Sequence, residues 1–409
     1  MRNKRHIFLA GTVIIGGFSV FYFFIPSFFS IAYKTDTATT TPPVATSTQN
    51  GVPGIIVTHI ETPEAVKAIY MTACAASSST FREKIVNIAD TTEVNSIIID
   101  IKDYSGTIAF SAVDPLLKGN NGGGCRTTDL KKFIARLHEK NIYTIARITV
   151  FQDPYYARLH PELAVLKKSD GTVWKDNKGL SFIDVSAKPY WEYIVALSKE
   201  AYAMGFDELN FDYIRFPSDG DMKDIAFPWS KGMSKAEALE HFFVYLHSAF
   251  KDTGVKTSAD LFGMTTTNTD DLNIGQVLER AMPYFDYIAP MVYPSHYPPN
   301  FNGWKNPNNH SYDLIKFVMT RGADRAEATT TPVPHFGGER IGTSTPAIYT
   351  KEAYSRNKLR PWLQDFDYGG DYDAVKVRGQ IQATYDSGLN SWFLWDPKNL
   401  YTKEALLAE

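Results

Sequence analysis

The chain has 409 residues, 21% of them charged and 44% hydrophobic, with a formal net charge of −3. That length holds one large domain of about 250 residues or more beside terminal segments. The near-neutral balance gives no basic face, so nucleic acid is not an expected partner.

Arg2, Lys4 and Arg5 precede an uncharged run over 7–33, which is longer than the apolar core of most signal peptides and long enough to span a bilayer. Residues 1–33 are therefore expected to form a signal anchor, with the membrane as a partner. The positive flank would keep the N-terminus in the cytoplasm and place the rest of the chain outside. Removal as a signal peptide after Ser30-Ile31-Ala32 is the alternative. Residues 34–53 are rich in Thr, Ser, Pro and Ala, offer little apolar surface against the entropy of ordering, and read as a linker.

From 54 to 409, short apolar runs alternate with amphipathic ones, the pattern of βα units around a parallel sheet. Strands are predicted at 66–72, 96–101, 143–150, 208–212, 256–261, 287–293, 359–363 and 391–395. Eight such units predict an α/β fold, the (β/α)8 TIM barrel. An open doubly wound sheet would want a glycine-rich phosphate turn after the first strand, and Met71-Thr72-Ala73-Cys74-Ala75 is not one. Thr80-Phe81-Arg82-Glu83 and Ser234-Lys235-Ala236-Glu237 read as capping boxes, and Gly205 and Gly388 as left-handed helix caps. The stretches 329–334 and 342–346 read as an inserted surface loop.

Cys74 and Cys125 fall in loops expected at one barrel end; outside the cytoplasm a disulfide is one outcome and two free thiols the other. Neither has a Cys or His partner at metal-ligand spacing, and the nine histidines are scattered. No metal or other cofactor is therefore expected, which weighs against a metal-dependent deacetylase.

Function is concentrated at the predicted strand ends. In Glu208-Leu209-Asn210-Phe211-Asp212, period-2 alternation puts Asn210 and Asp212 on one face and Leu209 and Phe211 on the other. An inward Asp212 then reaches the end of the barrel that carries chemistry. The second strand brings Asp100, Lys102 and Asp103, the third Arg147, and the fourth adds Arg215. The fifth brings Asp260, the sixth Tyr293, His296 and Tyr297, the seventh Trp362 and Asp365, and the eighth Trp395. A lone Asp at a strand end is more often a cap or turn residue. Carboxylates converging in one pocket are costly unless paired or functional, and a rim of Trp and Tyr suits a carbohydrate.

Val66-Lys67-Ala68-Ile69-Tyr70, Ile99-Asp100-Ile101-Lys102-Asp103, Phe211-Asp212-Tyr213-Ile214-Arg215-Phe216-Pro217, Ser258-Ala259-Asp260-Leu261-Phe262-Gly263, Pro290-Met291-Val292-Tyr293-Pro294-Ser295-His296-Tyr297 and Arg360-Pro361-Trp362-Leu363-Gln364-Asp365-Phe366 follow one another in order. Together they resemble the glycoside hydrolase family of bacterial envelope proteins catalogued as DUF4015, over about 66–397. The resemblance implies a glycosidase-type barrel and says little of substrate. Gly205 to Asp212 is also similar to the fourth-strand motif of chitinases, but Ile214 stands where their acid would be, which excludes chitinase chemistry with that acid. The spacing of Asp212, Asp260 and Asp365 resembles the α-amylase-type barrels, implying nucleophile, acid/base and substrate-distorting group in turn. An Asp in place of the amylase Glu on the fifth strand has a shorter reach, and Arg215 follows Asp212 where the amylase arginine precedes its nucleophile.

The expected activity is hydrolysis of a cell-envelope or extracellular polysaccharide by two carboxylates, with Asp212, Asp260 and Asp365 catalytic. Asp212, held by Arg215 or Arg147, attacks the anomeric carbon while protonated Asp260 serves the leaving oxygen; inversion is the other stereochemical course. Asp100, Lys102, Asp103, Arg147, Arg215, Tyr293, His296, Tyr297, Trp362 and Trp395 are the expected substrate-binding set. The rival reading is a non-catalytic carbohydrate-binding or envelope scaffold protein on the same barrel.

Overall fold

The computed structural model describes residues 56–120 and 125–408. The predicted anchor and linker lie outside the described residues. Among the described residues, no helix is long and apolar enough to cross a membrane.

Eight parallel strands close into a barrel: β1 (Lys67–Met71), β2 (Ser96–Lys102), β3 (Tyr143–Thr149), β4 (Glu208–Asp212), β5 (Lys256–Phe262), β6 (Tyr287–Met291), β7 (Trp362–Gln364) and β8 (Trp392–Trp395). Each strand pairs with its sequence neighbours, and β8 closes on β1 through Lys67 opposite Trp392. The helices that follow β1 to β7 are α1 (Ser79–Ala89), α2 (Leu130–Glu139), α3 (Lys188–Met204), α4 (Lys235–Phe250), α5 (Leu278–Ala281), α6 (Ser311–Glu327) and α7 (Ala374–Asp386). A 3-10 turn at Lys403–Ala405 follows β8. The (β/α)8 architecture is as the periodicity predicts.

The strands are buried on both faces, which explains their nearly continuous apolar reading. Outward residues such as Ile97, Ile99, Ile148, Leu209, Phe211 and Leu261 join the helices in the larger core. Inward residues form a second cluster that includes Ala68, Ile98, Tyr143, Ile145, Ala289 and Phe393. Gly205 ends α3 at φ +114°, a conformation that glycine adopts without the Cβ penalty. Ser234 caps α4 by accepting from the Glu237 amide at 3.2 Å, as its motif predicts. Thr80 differs: α1 already begins at Ser79, so Thr80 lies inside the helix, and the N-cap Ser78 makes no side-chain cap bond. A small antiparallel sheet forms around the stretches read as a surface loop: Thr330–Thr331 lies in the first, and Arg340–Ile341 and Ile348–Thr350 flank the second.

The floor of the barrel is filled. Glu208 Oε2 pairs with Arg360 Nη1 at 2.8 Å and accepts from Tyr143 Oη at 3.1 Å, and Tyr143 meets Thr62 Oγ1 at 3.1 Å. Ile60 packs against the inward cluster, and its amide donates to Asp207 Oδ1 at 2.8 Å. Asp207 Oδ2 also accepts from the Thr144 amide at 2.8 Å and lies 2.9 Å from His138 Nε2. The segment entering the domain is thus seated at the N-terminal ends of β3 and β4.

At the opposite end, Cys74 and Cys125 form a disulfide, with Cα atoms 4.4 Å apart and a sequence separation of 51. A cross-link over a loop of that size stabilises by about 4 kcal/mol in the chain-entropy account. The long β3–α3 connection forms a rim element there. Leu166–Lys167 pairs with Ile225–Ala226 from the β4–α4 loop, around Trp174, Val165, Phe182 and Ile225. Gly220, at φ +130°, lets the chain pass Trp174: a Cβ there would lie 2.6 Å from the indole.

Candidate active site

The inward positions change character along each strand. Tyr143 and Ile145 give way to Arg147, Asn210 to Asp212, Ser258 to Asp260, Ala68 to Tyr70, Ile98 to Asp100 and Phe393 to Trp395. Period-2 geometry therefore delivers polar and aromatic groups together at the C-terminal ends. They form the base of a pocket of about 610 Å³ lined by Arg147, Asp212, Asp260, Tyr293, Trp362 and Trp395, with Arg215 and His296 also on its wall.

Arg147 is the centre of this arrangement. Its Nη1 bonds Asp100 Oδ1 at 2.6 Å, its Nη2 bonds Asp212 Oδ2, and its Nε lies 3.8 Å from Asp260 Oδ2. Burial works against the cation, but the summed fields of Asp100, Asp212, Tyr70 and Asp260 outweigh it and raise its pKa. Tyr70 donates to Asp100 Oδ2 and stacks on Trp395, ring centroids 4.0 Å apart, and Arg147 lies 4.9 Å from the Trp395 centroid. Asp212 Oδ1 accepts from the Tyr213 amide at 2.5 Å. Tyr213 itself has φ +51°, strained for a bulky residue, and lines the pocket.

Asp260 occupies a different environment. Its Oδ1 accepts from Asn210 Nδ2 and Trp362 Nε1, each at 2.8 Å, while Oδ2 has no hydrogen-bond partner among the described residues. Burial first, and the Asp212 charge second, push its pKa well above the ordinary carboxylate range against the pull of Arg147. Asp212 is bound to a guanidinium, whereas burial and the Asp212 charge both favour the protonated form of Asp260.

Several expected site residues lie elsewhere. Lys102 is fully buried outside the barrel interior, donating to the Thr149 carbonyl at 2.5 Å and pairing with Asp153 Oδ2 at 3.0 Å. The cause is a bulge in β2: Asp100 pairs with Arg147 and Lys102 with Ile148, so the extra residue, Ile101, turns Lys102 to the helix side. Asp103 accepts from the amide and hydroxyl of Ser105, at 2.9 and 2.6 Å, and serves a turn. Tyr297 follows the 3-10 turn Pro294–His296 and packs on Phe301 and against Gly263 rather than lining the pocket. Asp365 is three residues beyond the inward Trp362 and so faces the other way. It accepts from the amide and hydroxyl of Thr402, at 3.0 and 2.6 Å, and fastens the C-terminal segment. Arg215 lines the wall but bonds the Phe216 carbonyl and Ser218, so the partner of Asp212 is Arg147. Asp100 reaches the pocket through Arg147.

Tyr70, Tyr213, Lys178, Phe366 and Tyr368 complete the surroundings. Tyr70 was legible from its parity with Ala68, whereas the others sit in loops whose paths no sequence period sets. Among the described residues, no group of three or more His, Cys, Asp or Glu side chains is placed to hold a metal ion.

The pKa of Asp365 is pushed up to about 7, chiefly by burial. A folded value above the unfolded one, about 3.9, means that stability is fully present below pH 4 and is lost as pH rises through 7, by at most about 4 kcal/mol. Asp365→Asn is expected to flatten that decline in denaturant titrations between pH 4 and about 8. An unchanged slope would reject the assignment.

A βα barrel with one aspartate paired to a guanidinium and a second whose pKa is raised by burial, on an aromatic-walled pocket, places the protein in the glycosidase-type barrel class. The sequence matches the family described as "Putative glycosyl hydrolase domain" (DUF4015) over residues 68–401, and the chain belongs to that family. No curated protein matches it in sequence. In fold it is similar to the PgaB (BpsB) glycoside hydrolase domain from Bordetella bronchiseptica, with TM-score 0.55 and 12% identity over 84% of this chain and 99% of that one. It is also similar to alpha-L-fucosidase isoenzyme 2 from Paenibacillus thiaminolyticus, with TM-score 0.52 and 11% identity over 83% of this chain and 48% of that one. A hypothetical protein from Ruminiclostridium thermocellum is 33% identical over 47% of this chain and 96% of that one, with TM-score 0.43.

Proposed function

We propose that the protein hydrolyses a glycosidic bond in a cell-envelope or extracellular polysaccharide, with Asp212 as nucleophile and Asp260 as general acid. The observation that carries this reading is the contrast between two carboxyl groups lining one pocket: Asp212 on Arg147, and Asp260 with its pKa raised by burial and by Asp212. Separated environments of this kind assign acid and nucleophile roles. In the retaining course, Asp212 attacks the anomeric carbon as Asp260 gives its proton to the leaving oxygen. Asp260 then takes a proton from the water that releases the sugar from Asp212. Trp395, Tyr293 and Tyr213 provide apolar faces for the sugar ring. Residues 1–33 would hold the enzyme at the membrane with its barrel on the outer side.

The test is incubation of the purified chain with peptidoglycan and with other envelope and extracellular polysaccharides, followed by assay of released reducing ends. NMR of the first-formed anomer then separates retention from inversion. Release by the parent and none by Asp212→Asn is the expected result. Binding of a glycan without any release by the parent would instead favour the scaffold reading.

A further inference from the structure

The charge of the pocket is not set by its catalytic floor. Three cations line it, Arg147, Lys178 and Arg215, against two carboxyl groups, Asp212 and Asp260. Arg147 is engaged by Asp100 and Asp212. The other two are not engaged by acids. Arg215 donates to the Phe216 carbonyl at 3.0 Å and to Ser218 Oγ at 3.3 Å, with its guanidinium 5.2 Å from the Tyr213 ring centroid. The exposed Lys178 ammonium has no hydrogen bond or ion pair among the described residues.

Both cations are held by the rim element rather than by a loose surface. Asp176 Oδ1 accepts from the amides of Lys178 at 2.9 Å and Leu180 at 2.8 Å, folding a tight turn that presents the lysine. Asn177 bonds Asp219, tying this turn to the β4–α4 loop that also carries Arg215. His296 lines the same pocket as Lys178, and burial first and the Lys178 charge second lower its pKa. The exposed Tyr368 and the half-buried Phe366 line the same pocket, their ring centroids 6.3 and 6.5 Å from that of His296.

Unpaired cations facing a glycosidase pocket are a liability for a neutral sugar, because positive charge develops on the sugar ring in the transition state. A negative group on the substrate removes that liability. A guanidinium and an ammonium together suit a carboxylate. We propose that the pocket selects a glycan carrying sugar carboxylates, with Lys178 and Arg215 binding a carboxylate at the mouth while the aromatic wall stacks on the ring. The inference deepens the hydrolase reading of the same site, although recognition itself does not require turnover. The carboxylate belongs either to a uronic acid ring or to the lactyl ether of a muramic acid.

Calorimetric titration of the purified full chain would use oligogalacturonate and alginate oligomers as uronate probes and peptide-free glycan strands containing N-acetylmuramic acid as the lactyl probe. Each would be paired with a counterpart whose carboxyl groups are reduced to alcohols. The expected result is binding of one acidic class that weakens at least about tenfold on carboxyl reduction and declines with ionic strength. Lys178→Gln and Arg215→Gln should each weaken the acidic ligand by about tenfold and leave the reduced one unchanged. Lys178 is exposed and unpaired, so its variant keeps the fold. Equal affinity for the reduced glycans, parental affinity in the Lys178→Gln protein, or no binding of any acidic probe would each overturn the proposal. Binding of an acidic glycan without cleavage would remove the hydrolase reading and leave carboxylate recognition. Cleavage of a neutral glycan at a rate indifferent to both substitutions would do the reverse.

Discussion

Asp260→Asn is expected to lower kcat on the natural glycan by roughly 10²–10⁴-fold while leaving binding nearly unchanged, since the side chain keeps its shape and loses only its transferable proton. The accompanying pH profile is the sharper measurement. With its pKa raised by burial and by Asp212, Asp260 remains an acid far above the ordinary carboxylate range, and the rate should fall as pH rises through that folded value. The Asn variant should lack that limb. Its residual rate should recover on aryl glycosides, whose leaving groups need no proton. Stability has a matching sign: the folded state holds a proton that the unfolded chain releases near pH 4, so the parent loses stability as pH rises toward the folded pKa. Asp260→Asn should lose this dependence and stay folded at neutral pH. A variant with parental kcat and an unaltered alkaline limb would move the acid role to another group.

Lys102→Met should act in the opposite way, costing about 3–5 kcal/mol of stability with KM and kcat of the folded protein unchanged. The substitution leaves the Asp153 carboxylate fully buried without its cation. The Tyr156 amide at 2.7 Å and the Tyr190 hydroxyl at 2.8 Å still donate to it, which limits the loss. Urea denaturation together with steady-state kinetics on the glycan cleaved by the parent separates the two effects. A raised KM at unchanged stability would return Lys102 to the substrate.

The difference between Asp260 and Lys102 shows what the sequence makes legible. Eight apolar runs with turn signals between them suffice for the barrel, because strands buried on both faces need little else. Alternation from Asn210 to Asp212 correctly points both inward, and Trp362 follows the same rule. Asp365 was open to the same arithmetic, since three residues from an inward Trp362 is an outward position. Lys102 was not, because Ile101 is an ordinary strand residue and nothing in its side chain announces a bulge. Arg147 and Arg215 were equal candidates for Asp212. Only the register of β3 against β4, with Arg147 opposite Asn210 and Thr149 opposite Asp212, puts the first within reach. Lys178 was the least accessible to sequence reading, for its place depends on how a long connection folds around Trp174.

The seating of Ile60 and Thr62 at the barrel floor has a mechanical meaning. A pull transmitted through the chain at residue 60 is taken up by Asp207 and Tyr143, at the starts of β3 and β4, whereas Arg147 and Asp212 stand at the far ends of those strands. The load path therefore ends on the closed side of the barrel and does not run through the loops around the mouth. A polymer too large to enter can lie across that open face, and a pull on the chain at residue 60 need not distort the geometry of the carboxyl pair.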